Sequence, residues 1–124
     1  MASRDPLTDA IIGAAIDVSK LLGNGLLETA YQAHLVHKLE RRNFRVRSQP
    51  AMPVFCDGIR VKVGFRPDLI VEDTVIVELK TIKSILPVHR AQLLTYLRFA
   101  ELHVGLLINF HAYPFSEGIL RVVL

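Results

Sequence analysis

Leu7, Ile11, Ala14, Ala15, Val18 and Leu22 recur every three or four positions, the spacing of one helix face. Asp5-Pro6 stands in front of them. An aspartate there can accept a free amide, and a proline at the first helical position loses no hydrogen bond. Gly23-Asn24-Gly25 ends this helix. A second is predicted from about Leu26 to Arg42, with Leu27, Tyr31, Leu35 and Leu39 as an i, i+4 stripe. The period then shortens to two: Phe44, Val46 and Ser48 alternate with Arg45, Arg47 and Gln49. Val54-Phe55 leads into Asp57-Gly58, a hairpin signal. Ile59, Val61, Val63 and Phe65 alternate with Arg60, Lys62, Gly64 and Arg66, and Asp68 to Val71 continues the extended run. Glu72-Asp73-Thr74 turns the chain, and Val75 to Lys80 returns. A third helix follows Pro87 to about Ala100. Val104 to Phe110 reads as a short, central, nearly all-apolar strand, and Ile119 to Val123 as the last. The predicted order is α-α-β-β-β-β-α-β-β, a mixed α/β (α+β) sandwich with helices beside one sheet.

Composition narrows the class. With 124 residues, 51% of them hydrophobic, residues 1–124 are expected to form one domain whose core needs no disulfide or metal staple. Cys56 is the lone cysteine, which excludes a disulfide framework and a cysteine-rich zinc site; beside Asp57-Gly58 it reads as a small strand residue. His34 and His37, three apart, lack the context of zinc ligands. The net charge of +3 permits a polyanionic partner without requiring one. Ile11 to Leu22 carries Asp17 and Lys20 and falls short of the ~20 apolar residues of a membrane span. Met1 to Pro6 shows no export signal. A soluble, cytoplasmic protein with no membrane partner is the expectation.

The stretch from Arg66 to Lys80 carries the chemistry. With the turn centred on Asp73, Asp68 lies five residues before it and Glu78 five after. Such positions face each other across an antiparallel hairpin, with Cβ atoms roughly 4.5–5.5 Å apart. Glu78 and Lys80 are two apart and share a face, so Asp68, Glu78 and Lys80 converge, while Leu69, Val71, Val77 and Leu79 bury the opposite face. An ordinary solvated hairpin carries the same residue types. Against it, Glu78 and Lys80 interrupt the apolar run from Val75 to Leu79, where a core strand should hold neither. Facing carboxylates repel, and a divalent cation removes the repulsion. Hard oxygen ligands with positions left for water and phosphate suit Mg²⁺, with Mn²⁺ as the alternative. A lysine beside them can orient a water or balance charge on a phosphate.

Pro67-Asp68-x9-Glu78-x-Lys80 resembles the signature of the PD-(D/E)XK nuclease superfamily. Gly25-Leu26-Leu27-Glu28-Thr29-Ala30-Tyr31 resembles the pattern that names its GxxExxY family of small proteins. Val88-His89-Arg90-Ala91-Gln92-Leu93-Leu94-Thr95-Tyr96-Leu97 and Val104-Gly105-Leu106-Leu107-Ile108-Asn109-Phe110 also resemble that family, so the likeness runs from about residue 7 to the C-terminus. The resemblance implies a restriction-endonuclease-like αβββαβ core, here with an extra N-terminal helix and C-terminal strand. It implies a metal held by Asp68, Glu78 and the backbone carbonyl of Leu79, with Lys80 beside the attacking water. The activity expected is Mg²⁺-dependent hydrolysis of phosphodiester bonds in nucleic acid, DNA before RNA. The rival is a catalytically silent nucleic-acid-binding or regulatory module of the same fold. In so small a chain, sequence specificity would need a homodimer or a partner protein.

Several further residues carry expectations. Glu28, in the first turn of the second helix, is either a carboxylate favoured by the helix dipole or a further acid reaching toward the metal. Tyr31, on the same helix face, either holds Glu28 or packs in the core. His89, Gln92 and Tyr96 lie at i, i+3 and i+7 on the third helix. All three either mark the boundary of an amphipathic helix or belong to the site: Gln92-x3-Tyr96 resembles an arrangement in some exonuclease-like members of the superfamily, which implies Gln92 near a metal-bound phosphate with Tyr96 behind it, and His89 fits either reading. Lys38, Arg41, Arg42, Arg45 and Arg47, with Arg60, Lys62 and Arg66 leading to Asp68, would together track phosphate, though single charges in such runs are usually solvated.

Overall fold

The computed structural model describes residues 5–124; the first four, part of the stretch without an export signal, lie outside the described residues. Helix α1 spans Pro6–Leu22 and opens as its sequence predicts, with Asp5 Oδ1 accepting from the Leu7 N–H at 3.0 Å. Gly23 and Gly25 follow at φ +70° and +101°, a conformation that costs a side-chain-bearing residue strain. Helix α2 is Glu28–Arg41. The strands β1 (Val46–Ser48), β2 (Met52–Cys56), β3 (Ile59–Phe65), β4 (Leu69–Val71) and β5 (Val75–Lys80) come next. Helix α3 (Pro87–Ala100), β6 (Val104–Asn109), a 3₁₀ turn (Phe115–Gly118) and β7 (Ile119–Val123) complete the chain.

Five strands form a mixed sheet in the order β1-β4-β5-β6-β7. The β5–β6 pair is parallel, joined through α3, and the other pairs are antiparallel. This is the mixed α/β, restriction-endonuclease-like architecture that the sequence implied, with β6 inside the sheet. Leu69, Val71, Val77 and Leu79 point to one face and pack with Ile11, Ala15 and Val18 of α1 and Tyr31, Leu35 and Leu39 of α2. Ile70, Ile76 and Leu107 point to the other, against Leu93 and Leu97 of α3. The helices thus cover both faces, because the apolar strands β4, β5 and β6 have two faces to bury.

Two expectations need correcting. The run from Ile59 to Val71 is not one strand, and the strands do not form one sheet. β2 and β3 pair only with each other, and the hairpin stands apart from the main sheet. Pro67 supplies the break: it lies between β3 and β4, is buried, and has no N–H to carry a ladder forward. Of the apolar alternation in β3, only Phe65 is buried; Ile59, Val61 and Val63 stay exposed.

Candidate active site

The hairpin of β4 and β5 pairs Leu69 with Val77, Ile70 with Ile76 and Val71 with Val75. That register, one step further out, sets Asp68 opposite Glu78, as the turn arithmetic predicts. The turn is made by Glu72 and Asp73, both at positive φ (53° and 51°), with the Thr74 N–H donating to Val71 O at 3.0 Å. Past Leu69 the side chains take over from the ladder. The Asp68 N–H donates to Glu78 Oε2 at 2.7 Å, and the Leu79 N–H donates to Asp68 Oδ2 at 2.7 Å. Each carboxylate is thereby oriented through one oxygen.

Glu78 follows Ile76 on the α3 face and is only 5% exposed. Its carboxyl pKa is pushed up to about 8, first by burial and then by the charge of Asp68; the Asp68 N–H and the nearby Lys80 act in the opposite direction. The Phe110 N–H donates to Lys80 O at 2.9 Å, so the Lys80 backbone faces β6. Peptide groups of neighbouring strand residues point to opposite edges. The Leu79 carbonyl is therefore directed, like its N–H, to the edge where Asp68 lies. Lys80 is half-buried at the end of β5, two residues beyond Glu78, and forms no ion pair among the described residues.

Glu28 is half-buried at the start of α2. Burial raises its pKa most, the charge of Asp68 adds to this, and Lys80 lowers it. It belongs to the same electrostatic site, yet no three His, Cys, Asp or Glu side chains among the described residues gather tightly enough to enclose a metal. The close set is two carboxylates and a backbone carbonyl, and Glu28 is an outlying third carboxylate. These are all hard oxygen donors, the chemistry that suits Mg²⁺ or Mn²⁺.

Tyr96 also comes to the site. Its ring stacks on Phe65 at 4.7 Å, and its pKa is raised by burial and then by the charges of Glu78 and Asp68. Gln92 lies exposed one turn earlier on α3. Arg66 is exposed two residues before Asp68 and donates to Gln49 O at 3.4 Å. His89 is engaged elsewhere: its Nδ1 accepts from the Leu86 N–H at 2.9 Å and caps the start of α3. Tyr31 does not hold Glu28. Its hydroxyl donates to Gly23 O at 2.8 Å and accepts from the Leu26 N–H at 3.2 Å, and its ring stacks on Phe110 at 4.5 Å. Gly25, Glu28 and Tyr31 are thus parts of one device: a glycine turn, closed by the tyrosine, that aims the first residue of α2.

Three of the five cations in the basic run of α2 and β1 are paired with carboxylates. Arg42 pairs with Asp17 at 2.6 Å, Arg45 with Glu72 at 3.2 Å and Arg47 with Asp73 at 3.2 Å. The acids lie 25 to 27 residues away in sequence, so the neutralisation appears only in the fold.

One positioning residue was missed by the sequence reading. Asn109, 1% exposed at the end of β6, donates to Ile82 O at 2.8 Å and accepts from the Ile82 N–H at 3.1 Å and the His111 N–H at 3.2 Å. It pins the chain just past Lys80. The signal was a single amide ending an otherwise apolar strand.

A family model of the PD-(D/E)XK nuclease superfamily matches residues 5–122. The chain belongs to that superfamily. Its nucleases generally use divalent metal ions, typically Mg²⁺, and act on nucleic acid. Comparison with curated proteins and with solved structures gave no match. No helix among the described residues is long and apolar enough to cross a membrane.

Proposed function

We propose that the protein is a metal-dependent nuclease that hydrolyses phosphodiester bonds in DNA at the Asp68–Glu78 pair. The observation that carries this reading is the interlock of that pair. Each carboxylate is held by a backbone amide of the other strand, so the two acids face each other across the end of the β4–β5 pair. Asp68, Glu78 and the Leu79 carbonyl would hold Mg²⁺ or Mn²⁺, with Glu28 as an outlying acid. A divalent ion in such a set supplies charge stabilisation at the phosphate and a more acidic water.

The chain's own residues do the rest. Lys80 sits beside the carboxylates on a short, pinned strand end and donates to the attacking water or to the developing phosphate charge. Tyr96, braced by Phe65, closes one side and shields the pair from bulk water. Gln92 and Arg66 lie at the exposed rim as phosphate donors. The Gly25, Glu28 and Tyr31 spacing supports a place in the GxxExxY group of the superfamily. One nuclease-like domain over residues 1–124 accommodates all of these parts.

The test is a cleavage panel of single-stranded, double-stranded and branched substrates with Mg²⁺ and Mn²⁺, run with wild type, Asp68→Asn and Lys80→Ala. Wild type should cleave with either ion and Asp68→Asn should not. Lys80→Ala should still bind metal and nucleic acid while turnover falls by a factor on the order of 10²–10³, as for loss of one electrostatic donor. Wild-type protein that binds nucleic acid but cleaves nothing with any divalent metal would instead establish the binding module.

A further inference from the structure

The β2–β3 hairpin is the part of the fold that the proposed active site leaves unexplained. A two-stranded hairpin alone in water is marginally stable and is usually covered. This one exposes apolar side chains: Phe55 is 65% exposed, Ile59 64%, Val61 47% and Val63 47%. Its close construction is specific. A Cβ at Gly64 would lie 2.1 Å from Val54 Cγ2, so the strands pack tightly where the register shifts between Met52 and Val54. The Arg60 guanidinium lies over the Phe55 ring, 5.4 Å from its centroid, which extends the cation across the strand pair.

Charge tells what covers it. The arginines on the α2–β1 side, Arg42, Arg45 and Arg47, are each neutralised by a carboxylate. On the hairpin, Arg60 and Lys62 form no ion pair among the described residues, and the hairpin's one acid, Asp57, sits at its turn. Arg66, between the hairpin and Asp68, and Arg90, on α3, are likewise exposed and without a carboxylate partner. Among the described residues, one set of unpaired cations therefore runs along the hairpin and α3, the side of the sheet that carries Glu78, while on α2 Lys38 and Arg41 are also unpaired. Phe65 ends β3 and stacks on Tyr96, so the hairpin springs directly from the edge of the carboxylate site.

Resting on the nuclease reading, we propose that the β2–β3 hairpin is a nucleic-acid arm that lies in the major groove of duplex DNA. Arg60 and Lys62 would meet phosphates, and the exposed aliphatic side chains would meet the groove. The major groove of B-form DNA admits a two-stranded ribbon, whereas that of A-form RNA is too narrow and deep for side chains to read. The arm thus selects duplex DNA over duplex RNA of the same sequence.

The experiment titrates wild type, Arg60→Ala/Lys62→Ala and Arg42→Ala/Arg45→Ala against labelled duplex DNA, duplex RNA and single-stranded DNA in EDTA, over a series of salt concentrations. Circular dichroism and thermal melting check each variant's fold, and the single charge reversal Lys62→Glu serves if the double variant unfolds. Loss of two phosphate contacts should lower the slope of log affinity against log salt by about two. Affinity for duplex DNA should fall by on the order of tenfold, and the α2–β1 variant should leave the slope unchanged. An unchanged slope for the hairpin variants, or a loss confined to the α2–β1 variant, overturns the arm. So does a wild-type dimer that Ile59→Ser/Val61→Ser converts to monomer with no change in DNA binding, which would make the hairpin a self-association surface. If the hairpin slope holds while no substrate is ever cleaved with Mg²⁺ or Mn²⁺, the arm stands and the nuclease reading alone fails.

Discussion

Glu78→Gln is the substitution whose outcome follows most directly from the geometry. In the metal-free protein the Glu78 carboxyl titrates at about 8 rather than at its ordinary 4.5, because it is buried and faces Asp68. Between those values the folded protein keeps a proton that the unfolded chain has released. Stability from this site is therefore intact below about pH 4.5, falls as pH rises, and levels off only above about 8. At about 1.4 kcal/mol per unit, the loss approaches roughly 5 kcal/mol, belonging to the Asp68–Glu78 pair as a unit. Glutamine removes the charge and keeps an oxygen to accept the Asp68 N–H. Its buried amide needs a partner in return, at a cost of about 1–3 kcal/mol if it finds none. The net gain over wild type at pH 8.5 should be roughly 2–4 kcal/mol, or on the order of 10 °C in melting temperature for a chain this size. At pH 5 wild type has lost less than about 1 kcal/mol, so the same amide cost should leave the variant roughly 0–2 kcal/mol less stable than wild type. The assay is calorimetric or urea unfolding of both proteins in EDTA from pH 5 to 9, read as the difference so that other titrations cancel. Added Mg²⁺ should stabilise wild type at pH 8.5 and leave Glu78→Gln unmoved. A wild-type–variant difference that stays flat across the range, or a variant less stable at pH 8.5, would refute the argument.

The other predictions concern the parts around the pair. Glu28→Gln should weaken metal binding by about 10–100-fold, less than Asp68→Asn does, since Glu28 stands outside the close donor set; calorimetric metal titration compares them, and equal losses would place Glu28 in direct coordination. Tyr31→Phe should cost about 1–2 kcal/mol in urea unfolding, through its lost bonds to Gly23 O and the Leu26 N–H, with metal affinity moved far less than by Glu28→Gln. Asn109→Ala should cost at least about 2 kcal/mol and speed hydrogen exchange at Ile82, because three buried bonds are lost together; unchanged exchange there would mean the loop is held by something else.

The carboxylate site was legible in the sequence because hairpin register depends on one number, the centre of the turn. Once Asp73 is taken as that centre, the pairs Leu69–Val77 and Ile70–Ile76 follow, and Asp68 faces Glu78. The start of α1 was legible for an equally local reason, since Asp5 and Pro6 act only on the first turn. What could not be read depends on distant partners. Alternation in β3 shows that one face is apolar but not whether anything covers it, and Ile59, Val61 and Val63 are exposed. The pairing of Arg42, Arg45 and Arg47 was hidden because Asp17, Glu72 and Asp73 are remote in sequence. Tyr31 was placed correctly on its helix, but its hydroxyl reaches back to a loop that helical periodicity does not describe.

These outcomes bear on how the site is built. Sheet pairing ends at Leu69, and beyond it Asp68 and Glu78 use their carboxylates to satisfy the amides of Asp68 and Leu79. The acids at the sheet end thereby replace ladder bonds, and each is oriented by the backbone of the strand pair itself. Above about pH 8 this costs the metal-free protein the repulsion between two charges, one of them buried; below it, Glu78 keeps its proton. It also holds both carboxylates in place through the backbone, so neither has to be ordered on binding. The residues around the pair are held in the same way: Tyr31 closes the turn that starts α2, and Asn109 fixes the chain that leaves Lys80. Cation binding should therefore relieve strain already present at the pair rather than assemble a site, so the gain in stability with Mg²⁺ should disappear on removing either charge of the pair while the fold persists.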